Sequence, residues 1–353
     1  MSISAAAPAL AAAVLFGAST PLAKLLTDEL SPLLLAGLLY LGAGLGLGTL
    51  LLSRHLSGNA GGRTIPLTIP RAEWPWLLGA ILAGGMLGPA LLMLGLAVTD
   101  AASASLLLNV EGVFTAVIAW VVFKENADRQ IVLGMVAIVC GGVLLAWQPE
   151  GMTLSAGALL IVAACLCWAA DNNFTRRLST NDAMLIASIK GLIAGICNTT
   201  IALLGGAALP GYMVMGSSLL VGFLGYGLSL TLFVVGLRTL GTARTGAYFS
   251  VAPLFGVIIS FWLWPEPPDA LFWAAALLMS FGIWLHLKER HEHVHTHEPL
   301  DHDHFHSHDE HHQHEHDFAC EGDTRHQHAH RHAALTHKHP HYPDIHHRHP
   351  HPH

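Results

Sequence analysis

The chain is 353 residues long, 52% hydrophobic and only 12% charged, with a formal net charge of −7 and a mean hydropathy of +0.49. Soluble domains carry roughly 25% charged residues, so the composition excludes a soluble enzyme, and the acidic balance argues against a nucleic-acid partner. A lipid bilayer is the solvent this composition fits.

In chain order, apolar stretches of span length recur at 5–26, 31–52, 74–96, 101–122, 129–147, 155–175, 183–205, 213–236, 243–264 and 269–287. A helix of about 20 residues crosses a hydrocarbon core of about 30 Å, whereas barrel strands need only about ten alternating residues. The fold class is an all-α polytopic membrane protein with ten transmembrane helices, each closing its backbone hydrogen bonds within itself. MSISAAAP has no basic residue ahead of the first apolar run, which reads as a signal anchor retained as the first span. Glycine runs such as LGAGLGLG at 41–48 and GLIAG at 191–195 suit close helix packing in lipid. Cys165 and Cys167, two apart on one helix, point to different faces, and with Cys140 and Cys197 they read as small packing residues; Cys320 lies beyond the spans. Trp74, Trp76, Trp147, Trp262 and Trp264 fall near span ends, as interfacial aromatic belts do.

With the N-terminus inside, Arg54, Arg63, Arg71, Lys124, Arg129, Arg176, Arg177, Arg238, Lys288 and Arg290 fall on the cytoplasmic side, against Lys24 at the outer side. The expected location is the inner or plasma membrane, multi-pass, with N- and C-termini cytoplasmic.

The sequence repeats itself. Residues 95–146 lie on 236–287 at a constant offset of 141, with Gly95/Gly236, Phe114/Phe255, Glu125/Glu266, Asp128/Asp269 and Gly141/Gly282 coinciding. The acidic pair falls in the same interhelical turn of each copy. FGASTPLAKLL at 16–26 lies on WAADNNFTRRL at 168–178 at an offset of 152. Five spans per copy is an odd number, so the second copy enters the membrane from the opposite side. Inverted repeats of this kind build secondary transporters, with the substrate site near the midplane between the copies. The expected division is two inverted five-helix repeats, 1–147 and 148–287, and a separate tail, 288–353.

The FGAST…K opening, the block LGLAVTDAASASLLLNVEGVFTAVIAWVVFKE followed by GMVAIVCGGVLL, and the second copy GLRTLGTARTGAYFSVAPLFGVIISFWLWPE followed by GIWL resemble the drug/metabolite transporter (DMT) superfamily. The likeness is to its ten-helix permeases built from two EamA domains, and it covers residues 5–287. It implies a carrier fold and leaves the solute open among amino acids, nucleotides, sugars, drugs and other metabolites. The family's mid-span proline stands at Pro253 in the second copy, where the first has Gly112 after Glu111.

Glu111 lies midway along its span, where an ionised side chain costs at least about 2.5–3.5 kcal/mol. It reads as a protonatable cavity group or as a neutral carboxyl bonded to a neighbouring helix. Asp171, with Asn172 and Asn173, and Lys190 lie within the sixth and seventh spans, where an Asp171–Lys190 ion pair serves a cavity or clamps two helices. Arg244 reads as a pathway residue or an interfacial anchor, and Lys24 as a snorkelling side chain. The candidate pathway or coupling residues are therefore Glu111, Asp171, Asn172, Lys190 and Arg244. No nucleophile elbow, phosphate loop or HExxH motif occurs, so no catalytic residue and no required cofactor are expected.

Of the 26 histidines, 24 lie between His291 and His353. With few apolar groups to offset ordering entropy, that tail is expected to be disordered. Imidazole suits transition metals, and the densest stretch offers His291, His293, His295, His297, His302, His304, His306, His308, His311, His312, His314 and His316 as ligands for Ni, Co, Zn or Cu. A pH-responsive tail is the competing reading, given an imidazole pKa near 6.5.

These observations lead to a secondary-active transporter that moves a small metabolite or drug-like solute by alternating access, as an exporter. The alternative is a divalent transition-metal (Ni, Co, Zn or Cu) exporter fed by the tail. A reading of another class is a membrane-anchored metal sensor or store. The partners expected are the lipid bilayer and a small-molecule or ion substrate, with a homodimer left open.

Overall fold

Among the described residues, the apolar runs of span length fold as helices, as hydrocarbon demands of a backbone that finds no partner in lipid. The computed structural model describes residues 3–56, 68–123, 129–148, 153–176, 178, 181–240, 245, 248–288, 292–297, 300–306, 326–332 and 335–340. Among them the helices are α1 Ile3–Leu26, α2 Pro32–Leu56, α3 Arg71–Ala97, α4 101–123, α5 Arg129–Ala146, α6 Ala156–Arg176, α7 Ala183–Leu204, α8 212–240, α9 Ala252–Leu263 and α10 Ala270–Lys288. Eight are long and apolar enough to cross a membrane, and α9 and α10 are shorter apolar helices. Local chemistry sets their starts: Asp100, Asp182 and Asp269 each accept a hydrogen bond from the first turn of α4, α7 and α10. A short antiparallel pair, β1 Trp147–Gln148 with β2 Thr153–Leu154, joins α5 to α6.

The packing exchanges helices between the two copies. α1 lies against α8 and α9, while α6 lies against α3 and α4. The first helix of each copy thus rests on the third and fourth of the other. α2 packs on α7 and α5 on α10, which the same exchange maps onto themselves.

Two irregularities follow the repeat. α3 widens to a π-helix over Ile81–Leu87 and α8 over Phe223–Leu228. At the offset of 141 the first segment falls on 222–228, so the register read from residue 95 onward reaches back through the third helix of each copy. α4 is not continuous, as the sequence suggests, but breaks in a turn at Leu108–Asn109; at the offset of 141 this falls on 249–250, within one residue of the turn at 250–251 before α9. Pro253, which has no backbone N–H to satisfy, starts α9 at its first turn.

Residues 290–353 form a separate compact unit. Its described residues are laid out as two antiparallel ladders: β3 Glu292–His297 with β6 Leu335–Pro340, and β4 Leu300–His306 with β5 His326–His332. Alternation such as HEHVHTH has the period of a strand, and interstrand pairing satisfies the backbone without a hydrophobic core.

The α2–α7 crossing is held by bare backbone. A Cβ on Gly191 would come within 2.7 Å of the Gly44 nitrogen and 2.9 Å of the Tyr40 carbonyl oxygen, whereas one on Gly216 would meet nothing within 4 Å. Gly191→Val should therefore destabilise the helical unit by about 1–3 kcal/mol through overpacking. Thermal unfolding in detergent should show this drop, with Gly216→Ala close to the parent protein.

Candidate functional site

The break in α4 interrupts the regular helical ladder, and side chains add to the bonds of its carbonyls. Asn109 Nδ2 donates to the Leu106 oxygen at 2.8 Å, and Cys165 Sγ, from α6, lies 3.7 Å from the Leu107 oxygen. The second rod of α4 starts at Val110 and carries Glu111 in its first turn, where the positive end of the helix favours a carboxylate. Glu111 Oε1 accepts a hydrogen bond from Asn172 Nδ2 at 2.8 Å, and the same nitrogen is 3.3 Å from Thr115 Oγ1. Asn172 is exposed, Glu111 and Thr115 are half-buried, and a Cβ on Gly112 would meet nothing within 4 Å. The pair therefore borders open space, with Glu111 midway along α4 and Asn172 toward the C-terminal end of α6.

One residue earlier on α6, the environment closes. Asp171 is 6% exposed and pairs with Lys190 Nζ of α7, itself 17% exposed, at 2.6 Å. Thr175 Oγ1 donates to the other Asp171 oxygen at 3.0 Å. Asp171 packs onto the π segment of α3, where a Cβ on Gly84 would strike its carboxylate. Tyr40 OH and Trp168 Nε1 both donate to the Gly84 carbonyl, at 2.7 and 3.0 Å, which ties α2 and α6 to that widened turn. Burying two charges is costly even when they are paired. This pair is answered by excellent geometry and the Thr175 hydroxyl.

Of the residues expected from sequence, Glu111, Asp171, Asn172 and Lys190 thus meet where α3, α4, α6 and α7 converge. Asn173 is not in the cluster; it is buried and donates to the Ala169 oxygen of its own helix. Lys24 is more than a snorkelling side chain, since Nζ donates to the Leu96 and Ala97 oxygens at 2.6 and 3.2 Å and caps the end of α3. Arg244 lies outside the described residues, as do His291, His308, His311, His312, His314 and His316. His293, His295 and His297 fall on β3, and His302, His304 and His306 on β4. Among the described residues, no group of three or more His, Cys, Asp or Glu residues gathers that could hold a metal ion. Sequence reasoning passed over Tyr40, Thr115 and Trp168. The signal available was position: Trp168 sits well inside its span, unlike the tryptophans at span ends, and Tyr40 interrupts a run of leucine and glycine.

A model of the EamA-like transporter family matches residues 3–147 and again 155–287. An uncharacterized transporter of Methanothermobacter thermautotrophicus is 28% identical over 287 residues, covering 78% of this chain and 83% of that protein. The uncharacterized transporter YyaM of Bacillus subtilis is 23% identical over 185 residues, covering 49% of this chain and 60% of that protein. A crystal structure superposes with a TM-score of 0.59 at 17% identity, over 79% of this chain and 95% of the other, a likeness of fold.

Removing one member of the buried pair strands the other. Lys190→Met should cost about 3–5 kcal/mol, and adding Asp171→Asn should recover most of that loss because no uncompensated charge remains. Thermal unfolding of the single and double variants in detergent measures both effects.

Proposed function

Because the chain belongs to the EamA-like transporter family, we propose that it is a secondary-active carrier that exports a small metabolite or drug-like solute by alternating access. The observation that carries this reading is the Glu111–Asn172 hydrogen bond. It joins the middle of α4 of the first copy to the C-terminal part of α6 of the second, where rocking of one copy against the other would make and break it. Ionisable groups held inside a membrane are expensive and characteristically mark solute or proton pathways. In this reading Glu111 exchanges a proton as the carrier alternates. Asp171 and Lys190 remain a fixed pair that holds α6 and α7 in register beside it.

The solute follows from the donor set. Carboxylate, amide and hydroxyl groups suit Ni, Co, Zn or Cu less well than imidazole or thiolate do. The cluster contains Glu111, Asn172 and Thr115, which favours an organic solute. The basic residues that flank the spans support an inner or plasma membrane location with both termini in the cytoplasm.

Reconstituted into liposomes under an imposed proton gradient, the parent protein should move solutes from a metabolite and drug panel with a clear dependence on pH. Glu111→Gln should abolish the gradient-driven component while leaving the thermal transition unchanged. Gradient-driven transport that persists in that variant, with the same pH dependence, would remove Glu111 from the coupling step.

A further inference from the structure

Glu266 and Asp269, the acidic pair that recurs at 125 and 128 in the first copy of the repeat, take no part in the Glu111 cluster. Both line a cavity of about 430 Å³. Its walls come from the C-terminal end of α1, the start of α4, the end of α5 and the turn between α9 and α10. Small-molecule sites occupy about 300–1,000 Å³, so the cavity has the size of one.

Its lining is charged on one side and aromatic on the other. Three carboxylates, Asp100, Glu266 and Asp269, stand against one cation, Lys24, which leaves a net charge of −2. The Leu96 and Ala97 carbonyls already engage the Lys24 ammonium. Asp100 and Asp269 each commit Oδ1 to a helix cap, accepting from Ser103 N and Phe272 N at 2.7 Å. Among the described residues, no donor reaches the second oxygen of either carboxylate or the side chain of Glu266. The turn WPEPPD at 264–269 has three prolines in six residues, which fix φ and stiffen the backbone that carries Glu266 and Asp269. Phe261 and Phe272 pack edge to face with ring centroids 5.6 Å apart, and Trp147 and Trp264 add exposed indoles.

A ring face attracts a cation through its quadrupole, and a cleft lined by one sign of charge concentrates the opposite sign. The acidic residues do not gather as a metal-binding group among the described residues. A ligand that is both positively charged and apolar satisfies the two walls together. We propose that this cavity binds an organic monocation, an ammonium carried on an aromatic or alkyl frame. The inference deepens the carrier reading and rests on it for one point: the basic residues of the spans leave this end of the bundle to the outer side. There the cavity receives a cationic solute on its way out.

The test is equilibrium binding to the full-length protein in detergent with no gradient present, so it reports on the cavity separately from coupled transport and from Glu111. Radiolabelled tetraphenylphosphonium is the probe, and benzyltrimethylammonium, benzyl alcohol and benzoate are the competitors. The parent protein should bind the probe saturably, and benzyltrimethylammonium should displace it at least about tenfold better than the neutral or anionic competitor. Glu266→Gln and Asp100→Asn, the second of which keeps the helix cap, should each weaken binding about fivefold. Trp264→Leu should weaken it about threefold. Glu266→Lys should remove saturable binding, and because Glu266 is exposed on a turn the thermal transition should stay in place. Absence of saturable binding by the parent, equal displacement by benzoate, or unchanged affinity in Glu266→Lys would overturn the cavity site. Binding lost in Glu111→Gln and kept in Glu266→Lys would place the cation in the Glu111 pathway and overturn it too.

Discussion

Hydrocarbon supplies no hydrogen-bond partner, so every departure from a regular helix within the bilayer has to be answered by the protein itself. The helical unit contains such departures, and side chains of the same helix or of a neighbour answer them. The Gly84 carbonyl in the widened turn of α3 receives Tyr40 and Trp168, from α2 and α6. The carbonyls at the α4 break receive Asn109 and the Cys165 thiol. In α8, the Gly225 carbonyl receives the Ser229 hydroxyl. The irregular turns of α3 and α4 sit where α6 crosses them, and that crossing brings Asp171 and Asn172 to their partners. Without the exchange of first helices between copies, these carbonyls would lose α6 donors and the charged cluster would have no enclosure.

The two copies share a scaffold but not a chemistry. At the offset of 152, Asp171 corresponds to Ser19, and each packs on the π-segment glycine of the other copy, Gly84 and Gly225 respectively. At the offset of 141, Glu111 corresponds to Ala252, whose carbonyl would be struck by a Cβ on Gly17. One crossing is therefore polar and partly open, and its counterpart is close-packed. Repetition accounts for the geometry of both sites. The ionisable residues at only one of them account for the choice of Glu111 and Asn172 as the pathway.

Much of this architecture was legible in the sequence, because span length and the cost of buried charge act on single segments. The helix limits follow the apolar runs closely, as with 101–122 for α4 and 183–205 for α7. Glu111, Asp171 and Lys190 stand out because water-loving groups at mid-span need a reason. The break at Leu108–Asn109 did not stand out, since no proline marks it in the first copy, and its carbonyls are answered by a thiol 58 residues away. The π segments were equally hidden, because two glycines in a membrane helix read as packing residues. In the tail, composition alone names no strand pairing. The two-residue alternation that permits a ladder carries weight only once a partner strand is identified, and residues 300–306 and 326–332 lie too far apart in sequence for local pattern to pair them.

The account turns on a mid-span cluster that faces each side of the membrane in turn, and Asn172, exposed beside Glu111, reports on that directly. In a background with Cys140, Cys165, Cys167, Cys197 and Cys320 replaced by serine, Asn172→Cys should be tested with a membrane-impermeant thiol reagent. Right-side-out and inside-out vesicles present the two faces separately. Alternating access predicts labelling from both faces, with the balance between them shifted by the imposed proton gradient. Labelling confined to one face under every gradient would contradict it.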